Sequence, residues 1–452
     1  MKKLVAILIL CLTCVFCALG FTACGNNVQP SEQEQVNNKD GTDGNASDEY
    51  FDFIYLSETD SYSIKAKNSA NLPASIVLPS EHDGKKVTHI GYNFTEEDVN
   101  NQEKAAKWGV NEENPSYAFL GSETLCTVVI PDSVTVIGWG AFYNCSNLAS
   151  INIPDSVTSI GAEAFTNCPI ESAKIPAMAI LSIPKSNLRT VEITSGKSIG
   201  GYAFYHCSSL TSITIPNSVM SIGDYAFNGC DKLVEVINKS SLTITKGSSD
   251  NGYIGYYTLT VHNGESKIVN KDGYLFITGD DGINYLIGYK GTETALTLPS
   301  DYNGENYQIY NYAFYHCSSL TSITIPNGVT SIGYKAFSYC NGLTSVTIPN
   351  SVKSIGDYAF SGCNGLTSVT IPNGVTSIGD YAFSGCSALT SITIPNSVKS
   401  IGNYAFQYCG LTSITFNGTV EQWLAIDKVY NWHAYNPETV VHCIADGTDV
   451  NI

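Results

Sequence analysis

Leu320 to Gly342 reads LTSITIPNGVTSIGYKAFSYCNG, and Leu343 to Gly365 reads LTSVTIPNSVKSIGDYAFSGCNG. Working outward, Phe314, Phe337, Phe360, Phe383 and Phe406 stand 23 residues apart, as do Cys317, Cys340, Cys363, Cys386 and Cys409. An earlier array keeps the same step through Phe119, Phe142 and Phe165, then Phe204 and Phe227. A fixed period with this much identity marks a solenoid, in which each unit buries its apolar side only against its neighbours.

One unit explains itself residue by residue. Leu320-x-x-Ile323-x-Ile325 has the alternation of a bend residue followed by a short strand, and Thr and Ile suit a pleated strand. Pro326 has no N–H for a ladder and ends the strand; Asn327-Gly328 turns the chain. Val329 and Ile332 return to the core, Gly333 permits a corner, and Ala336-Phe337 is expected on a helical or 3₁₀ turn with the ring inside. Stacked units place their strands about 4.8 Å apart in a parallel sheet, so roughly a dozen coils predict a rod on the order of 50–60 Å long.

The pattern LxxIxIP…VxxIGxxAFxxC closely resembles the BspA-type leucine-rich repeats of bacterial surface proteins, over most of the chain from about Tyr50 onward. The expected fold is a leucine-rich-repeat solenoid, with a parallel β-sheet on the concave side, short strands or 3₁₀ turns on the other faces, and, from the residues read next, one β-hairpin insertion. The resemblance implies a cell-surface or secreted protein, since some members act as adhesins for host proteins or other bacteria.

Two intervals break the step. Phe165 and Phe204 are 39 apart, which reads as one unit plus 16 extra residues around Pro176 to Leu188. Phe227 and Phe314 are 87 apart, and there Tyr274–Thr278 and Tyr285–Tyr289 flank Gly279-Asp280-Asp281-Gly282 as a hairpin. Leu298-Pro-Ser-x3-Gly304 repeats the spacing of Leu78-Pro-Ser-x3-Gly84, so both predict coils that start or resume the stack. Near the end, Thr419-x-x-Gln422 is a capping box for a short helix through Trp423, Leu424 and Ile426, and Val440–Cys443 predicts a last strand. Trp423 and Trp432 read as lid packing, because terminal coils need caps.

The N-terminus reads differently. Lys2 and Lys3 precede an apolar run from Leu4 to Leu19, and small residues precede Cys24, as in an export signal. Phe21-Thr22-Ala23-Cys24-Gly25 resembles the lipobox of bacterial lipoproteins, which implies lipidation of Cys24. Residues 25–49 are polar and nearly free of large apolar side chains, the composition of a flexible tether. The expected organisation is therefore a leader over 1–23, a tether over 24–49, and an N-terminal cap with first coil over 50–116. Repeat blocks follow over 117–236 and 299–416, separated by an insertion at 237–298, and a C-terminal cap spans 417–452.

A net charge of −18 excludes a nucleic-acid backbone as partner, since phosphate binding needs clustered Lys and Arg. Of the 15 cysteines, nine fill one slot of the repeat, at a spacing unlike any zinc motif and with parallel side-chain vectors that disfavour disulfides. They are expected to be buried free thiols; Cys126 and Cys443 lie outside the slot. The seven histidines form no constellation, and Asp280-Asp281-Gly282 lacks the alternating carboxylates of a calcium loop, so neither a catalytic site nor a cofactor or metal is expected. Two outward rows are candidate contact surfaces. One is hydroxyl-bearing: Ser322, Thr324, Ser345, Thr347, Ser368, Thr370, Ser391 and Thr393, continued by Ser413 and Thr415. The other is Tyr202, Tyr225, Tyr312, Tyr358, Tyr381 and Tyr404, a residue type that gives large contact area at low entropy cost. Both rows also fit a plain scaffold, and the insertion is the better place to seek specificity. The expected function is non-catalytic recognition of an extracellular protein or glycan, with the membrane touched only through the lipid; an envelope-assembly scaffold is the alternative, and a surface hydrolase is disfavoured.

Overall fold

The computed structural model describes residues 49–91, 118–429, 431–434, 436 and 438–452. They form a leucine-rich-repeat-like β-solenoid of about 15 turns, with parallel sheets and little helix. At about 4.8 Å per turn the stack extends roughly 70 Å, longer than a dozen coils would give.

Each coil binds the next along three lines. The first is the LxxIxI strand: Ser322–Thr324 pairs in parallel with Ser345–Thr347, residue on residue. The second is the strand at VxSI, where Ile332 pairs with Ile355 and Ile355 with Ile378. The third lies at GxxAFxxC. Here Lys335 N donates to Asp357 O at 3.0 Å, Phe337 N to Ala359 O at 2.8 Å and Tyr339 N to Ser361 O at 2.8 Å. Alternate N–H groups thus point along the stack. The helical or 3₁₀ turn expected at Ala336-Phe337 is therefore replaced by consecutive tight turns, broken by Lys335 at φ 51° and Tyr339 at φ 60°. A continuous helix would keep those N–H groups inside its own coil and leave the neighbour unpaired.

The interior is built from the repeated apolar slots. Phe314, Phe337, Phe360, Phe383 and Phe406 form a column with centroids 5.1, 5.1, 5.3 and 5.5 Å apart and ring planes within 7° of parallel. Phe119, Phe142 and Phe165 form a second column, and Phe204 with Phe227 a third. The corner glycine answers to the neighbouring coil and not to its own φ. A Cβ on Gly379 would lie 2.6 Å from Asp357 N and 2.7 Å from Gly356 C, closer than any side chain can stand.

The interruptions are themselves coils. In the 39-residue interval, Ser172–Ile175 pairs with Ser150–Asn152 on one side and with Thr190–Ile193 on the other. The extra residues are thus a short turn of the solenoid, not a loop added to one. Its 3₁₀ segment Ala177–Ser182 buries Ala179 and Ile180 and carries no phenylalanine, which is why the ring column breaks there. In the longer interval the hairpin Tyr274–Thr278 and Asn284–Tyr289 is present, joined by a third antiparallel strand, Val269–Lys271. Asn284–Tyr289 pairs in parallel with Tyr307–Ile309 of the second block, while Thr260–His262 extends the first block from Glu235–Asn238. A small core of Val234, Leu259, Leu275, Ile277, Tyr285 and Ile287 lies between the two main ones.

At the N-terminal end, Phe51–Leu56 and Ser61–Ala66 form a hairpin, and Phe51 packs edge-on against Phe119 with centroids 6.2 Å apart. Ser75–Val77 and Ala295–Thr297 enter the stack before Leu78-Pro and Leu298-Pro, each pairing with the next LxxIxI strand. At the other end Thr419 and Gln422 complete the reciprocal capping box of the helix Val420–Leu424. Buried Trp423 meets Phe416 and Trp432 edge-on, and Trp432 covers Phe406, the last ring of the column. Val440–Cys443 pairs with Ser413–Asn417 and is followed by an antiparallel strand, Thr448–Asn451, which covers its outer edge.

Removing one ring tests the column. Phe360→Ala should cost about 3–5 kcal/mol, and hydrogen exchange should show lost protection first in the adjoining coils and last around Phe142. Gly379→Ala should cost about 1–3 kcal/mol by forcing the coils apart; equal stability of Gly379→Ala and the parent in urea would contradict the close approach described.

Candidate functional site

The LxxIxI strands turn every second residue outward, so the sheet carries two parallel rows. In the second block, Ser322 pairs with Ser345 and Thr324 with Thr347; further along, Ser368 pairs with Ser391, Ser391 with Ser413, and Thr370 with Thr393. Thr324, Ser345, Thr347, Ser368, Thr370 and Ser391 are exposed, and Ser322, Thr393, Ser413 and Thr415 half-buried. The structure thus brings all ten hydroxyl positions to one face. Among the described residues, the hydroxyls of Ser322, Thr324, Ser345, Thr347, Ser368, Thr370, Ser391 and Thr393 enter no hydrogen bond within the protein.

The same rows in the first block have another chemistry. One holds Thr127, Ser150, Ser172, Thr190 and Ser212; the other holds Val129, Asn152, Lys174, Glu192 and Thr214. Together with Ile237 and Ser266 they line a groove of about 360 Å³. Lys174 Nζ meets Glu192 Oε1 of the next coil at 3.1 Å, half exposed on both sides, so the pair contributes little to stability and remains open to a ligand.

Next to Ser212, beneath the lining of the groove, stands Glu235, which the sequence alone does not single out. It stands opposite Ser212 in the hydroxyl row and is fully buried. Its Oε2 accepts from Ser212 Oγ and Ser266 Oγ, each at 2.7 Å, while Oε1 accepts from Lys267 N at 2.5 Å and lies 3.1 Å from His262 Nε2. A buried carboxylate needs such donors. The insertion is thereby pinned over the end of the first block's sheet. The available signal was a single carboxylate in a row of Ser and Thr.

The tyrosine row runs along the third ladder and has a backbone peculiarity. Tyr202, Tyr225, Tyr312, Tyr358, Tyr381 and Tyr404 all have positive φ, between 52° and 59°. A left-handed non-glycine residue costs about 1–2 kcal/mol, and Gly or Asn would be the ordinary choice. The rings stack instead: Tyr202 on Tyr225 at 5.5 Å, Tyr358 on Tyr381 at 4.6 Å, and Tyr381 on Tyr404 at 5.1 Å. Tyr253, inside the insertion and absent from the expected row, takes the same place: its φ is 72° and its ring lies 5.7 Å from Tyr225. Exposure is uneven. Tyr202 is 58% exposed and Tyr225 45%, Tyr358, Tyr381 and Tyr404 are half-buried, and Tyr312 is only 6% exposed beneath Tyr334.

The model for the BspA-type leucine-rich repeat region matches in six copies over residues 112–195, 184–249 and 307–425, more than half of the chain. The chain belongs to the BspA-type leucine-rich repeat family. It is similar to a leucine-rich cell surface protein of Faecalibacterium prausnitzii, at 27% identity over 86% of this chain and 97% of that one, with a TM-score of 0.38. It is also similar to a leucine-rich repeat protein of T. pallidum, at 31% identity over 32% of this chain and 70% of that one, with a TM-score of 0.31. A third relative in structure is the pneumococcal vaccine antigen PcpA, at 16% identity over 88% and 93% of the two chains and a TM-score of 0.34. No curated protein matches the sequence at a significant level.

The repeated cysteine of this BspA-type chain is a free thiol wherever it is described, and Cys443 is free as well, so it does not pair with Cys126. The slot serves packing and one directed contact. Cys340 Sγ donates to Phe314 O, Cys363 Sγ to Phe337 O, Cys386 Sγ to Phe360 O and Cys409 Sγ to Phe383 O, at 3.1 to 3.2 Å. The thiol is small and apolar yet can donate to the coil before it. Burial pushes Cys363 and Cys409 up to about 12, far from reactive thiolate. The hairpin carboxylates are also engaged: Asp280 Oδ1 accepts from Thr260 Oγ1 at 2.7 Å, and Asp281 Oδ2 from Tyr285 OH at 2.8 Å. Among the described residues no group of three His, Cys, Asp or Glu could hold a metal. Cys24 lies outside the described residues.

Two outcomes follow for the thiols. Iodoacetamide labelling of the slot cysteines in the native protein should stay negligible from pH 7 to 9 and become complete in denaturant. A thiol whose folded pKa is raised stabilises fully below its unfolded value of about 8.5 and loses that contribution as pH rises toward 12. The melting temperature should accordingly fall between pH 8 and 10; a flat profile would mean that these thiols are not buried as described.

Proposed function

We propose that this protein is exported, is anchored by lipid at Cys24, and uses the outward faces of its solenoid to bind an extracellular protein or glycan without catalysing a reaction. The observation that carries the reading is the division of labour within each coil. The apolar residues and the backbone meet the demands of folding, whereas the sheet face is left with hydroxyls free of internal hydrogen bonds and, in the first block, with a groove of about 360 Å³. A surface with open donors and acceptors on a rigid support suits recognition, because little order is lost on binding. The basic and apolar leader before Cys24 and membership of the BspA-type family support placement at the cell surface.

Binding of residues 25–452 to arrays of glycans and matrix proteins, beside variants Lys174→Ala and Glu192→Ala, tests the recognition reading. A ligand whose affinity drops about tenfold or more in these variants supports it, and a protein that binds nothing on such arrays or on cells contradicts it. Anchoring is tested separately: cells fed an alkyne fatty acid should label the wild-type protein and not Cys24→Ser.

A further inference from the structure

The sheet face of the second block is uniform in a way that selects its ligand. Its threonine row runs through six coils as Thr297, Thr324, Thr347, Thr370, Thr393 and Thr415. Thr297 stands opposite Thr324, Thr324 opposite Thr347, Thr370 opposite Thr393 and Thr393 opposite Thr415. Between Thr347 and Thr370 the stack continues through Thr367 N, which donates to Thr344 O at 3.5 Å. The row ends where His442 takes the place after Thr415, its Nδ1 2.7 Å from Asp449 Oδ1. In the serine row beside it, Ser345, Ser368 and Ser391 are exposed.

Three properties of these rows discriminate between partners. Neither row holds a charged side chain from Ala295 to Thr415, although the whole chain carries −18, so a charged ligand finds no counter-charge on this face. Neither holds an aromatic or large aliphatic side chain, and protein partners take most of their binding energy from such anchors and from arginine. What remains is hydroxyl, each able to donate one hydrogen bond and accept two. Among the described residues, those of Thr324, Thr347 and Thr370 enter no bond inside the protein. Threonine is also stiff at χ1, so these groups are ordered before a ligand arrives.

We infer that this face binds a neutral, extended polysaccharide laid along the stack, with one sugar for each coil. Sugar hydroxyls both donate and accept, as those of the rows do. A chain of pyranose rings joined through opposite corners advances by close to the rise of a coil, about 4.8 Å. Successive sugars therefore meet successive threonines in the same relation, and contacts that are weak singly add along the chain. The inference rests on the recognition reading and names the ligand class for the second block. The first block does not offer the same face, because Val129, Lys174 and Glu192 stand where the second has threonine.

The probes are β-1,4-linked oligosaccharides of glucose, mannose and xylose, of increasing length, titrated into the full chain by calorimetry. The inference expects at least one series to bind, with affinity rising for each added sugar and levelling off at about six, the number of coils in the threonine row. Salt should leave the affinity unchanged, since no charge takes part. Thr347→Val with Thr370→Val keeps the branched shape and removes two hydroxyls that make no internal bond, so its melting curve should match the parent's while binding weakens about fivefold to tenfold. Should that variant melt far below the parent, Ser345→Ala with Ser368→Ala in the neighbouring row replaces it and must weaken binding in the same sense. Equal binding by the folded variant and the parent overturns the inference, as does an affinity indifferent to chain length. If no series binds while the arrays yield a ligand that depends on Lys174 and Glu192, the recognition reading stands and this inference falls.

Discussion

Everything in the molecule is set by the rise of one coil, because hydrogen bonds between neighbouring coils allow only about 4.8 Å per turn. Three separate lines of bonds hold each coil to the next, one at the LxxIxI strand, one at VxSI and one at the Phe–Cys turns. That spacing is too short for bulky groups to be placed freely. Rings must lie parallel, as the phenylalanines do, and the corner must have no Cβ, as at Gly379. A substitution in one coil is therefore felt mainly by the two beside it, the one-dimensional behaviour of repeat arrays.

The same spacing explains which features the sequence revealed. Periodic positions were legible because each fills the same physical role in every coil, and Leu320, Ile323, Ile325, Val329, Ile332 and Phe337 are all buried as their alternation indicates. The capping box at Thr419 and Gln422 was legible because it is local. The conformation of the Phe–Cys turn is not legible in one unit, because it depends on a partner one coil away. Locally GYKAF resembles a helical turn, and only the need to donate Phe337 N to Ala359 O forces the left-handed residues. The short coil at Ser172–Ile175 is hidden for a related reason: it keeps the strand, the element that pairs, and drops the phenylalanine that marks the other coils.

On the candidate surfaces, the order of residues identified the rows but not their environment. Ser368 and Thr370 lie exposed as alternation requires, yet Tyr312 is buried while Tyr202 is open, although both occupy one slot. The difference comes from what lies against them: Tyr312 packs under Tyr334 and Lys335, whereas Tyr202 touches only the rings of Tyr205 and Tyr225, and a single unit discloses neither environment. Glu235 is a further case. A carboxylate on an outward strand position reads as a solvated charge, and it is instead fully buried because the insertion returns Ser266 and Lys267 over it.

Glu235 also shows how an array acquires a site. Uniform coils offer a uniform surface, so a ligand could slide by one step at almost no change in energy. The insertion removes that degeneracy. It covers Glu235 in the row of the first block's sheet, adds Ser266 to the groove lining beside Ile237, and leaves Lys174 and Glu192 at one fixed distance from those residues. The second block keeps its repetition, with hydroxyls at every step and the tyrosine slot broken only at Lys335, where the Tyr312, Tyr334 and Lys335 cluster marks its beginning. A graded, repetitive face suits contacts that add along an extended partner, whereas a groove with unlike residues along it suits one that must be held in register. The two blocks thus differ in the property that decides how a ligand is positioned, although a single coil design built both.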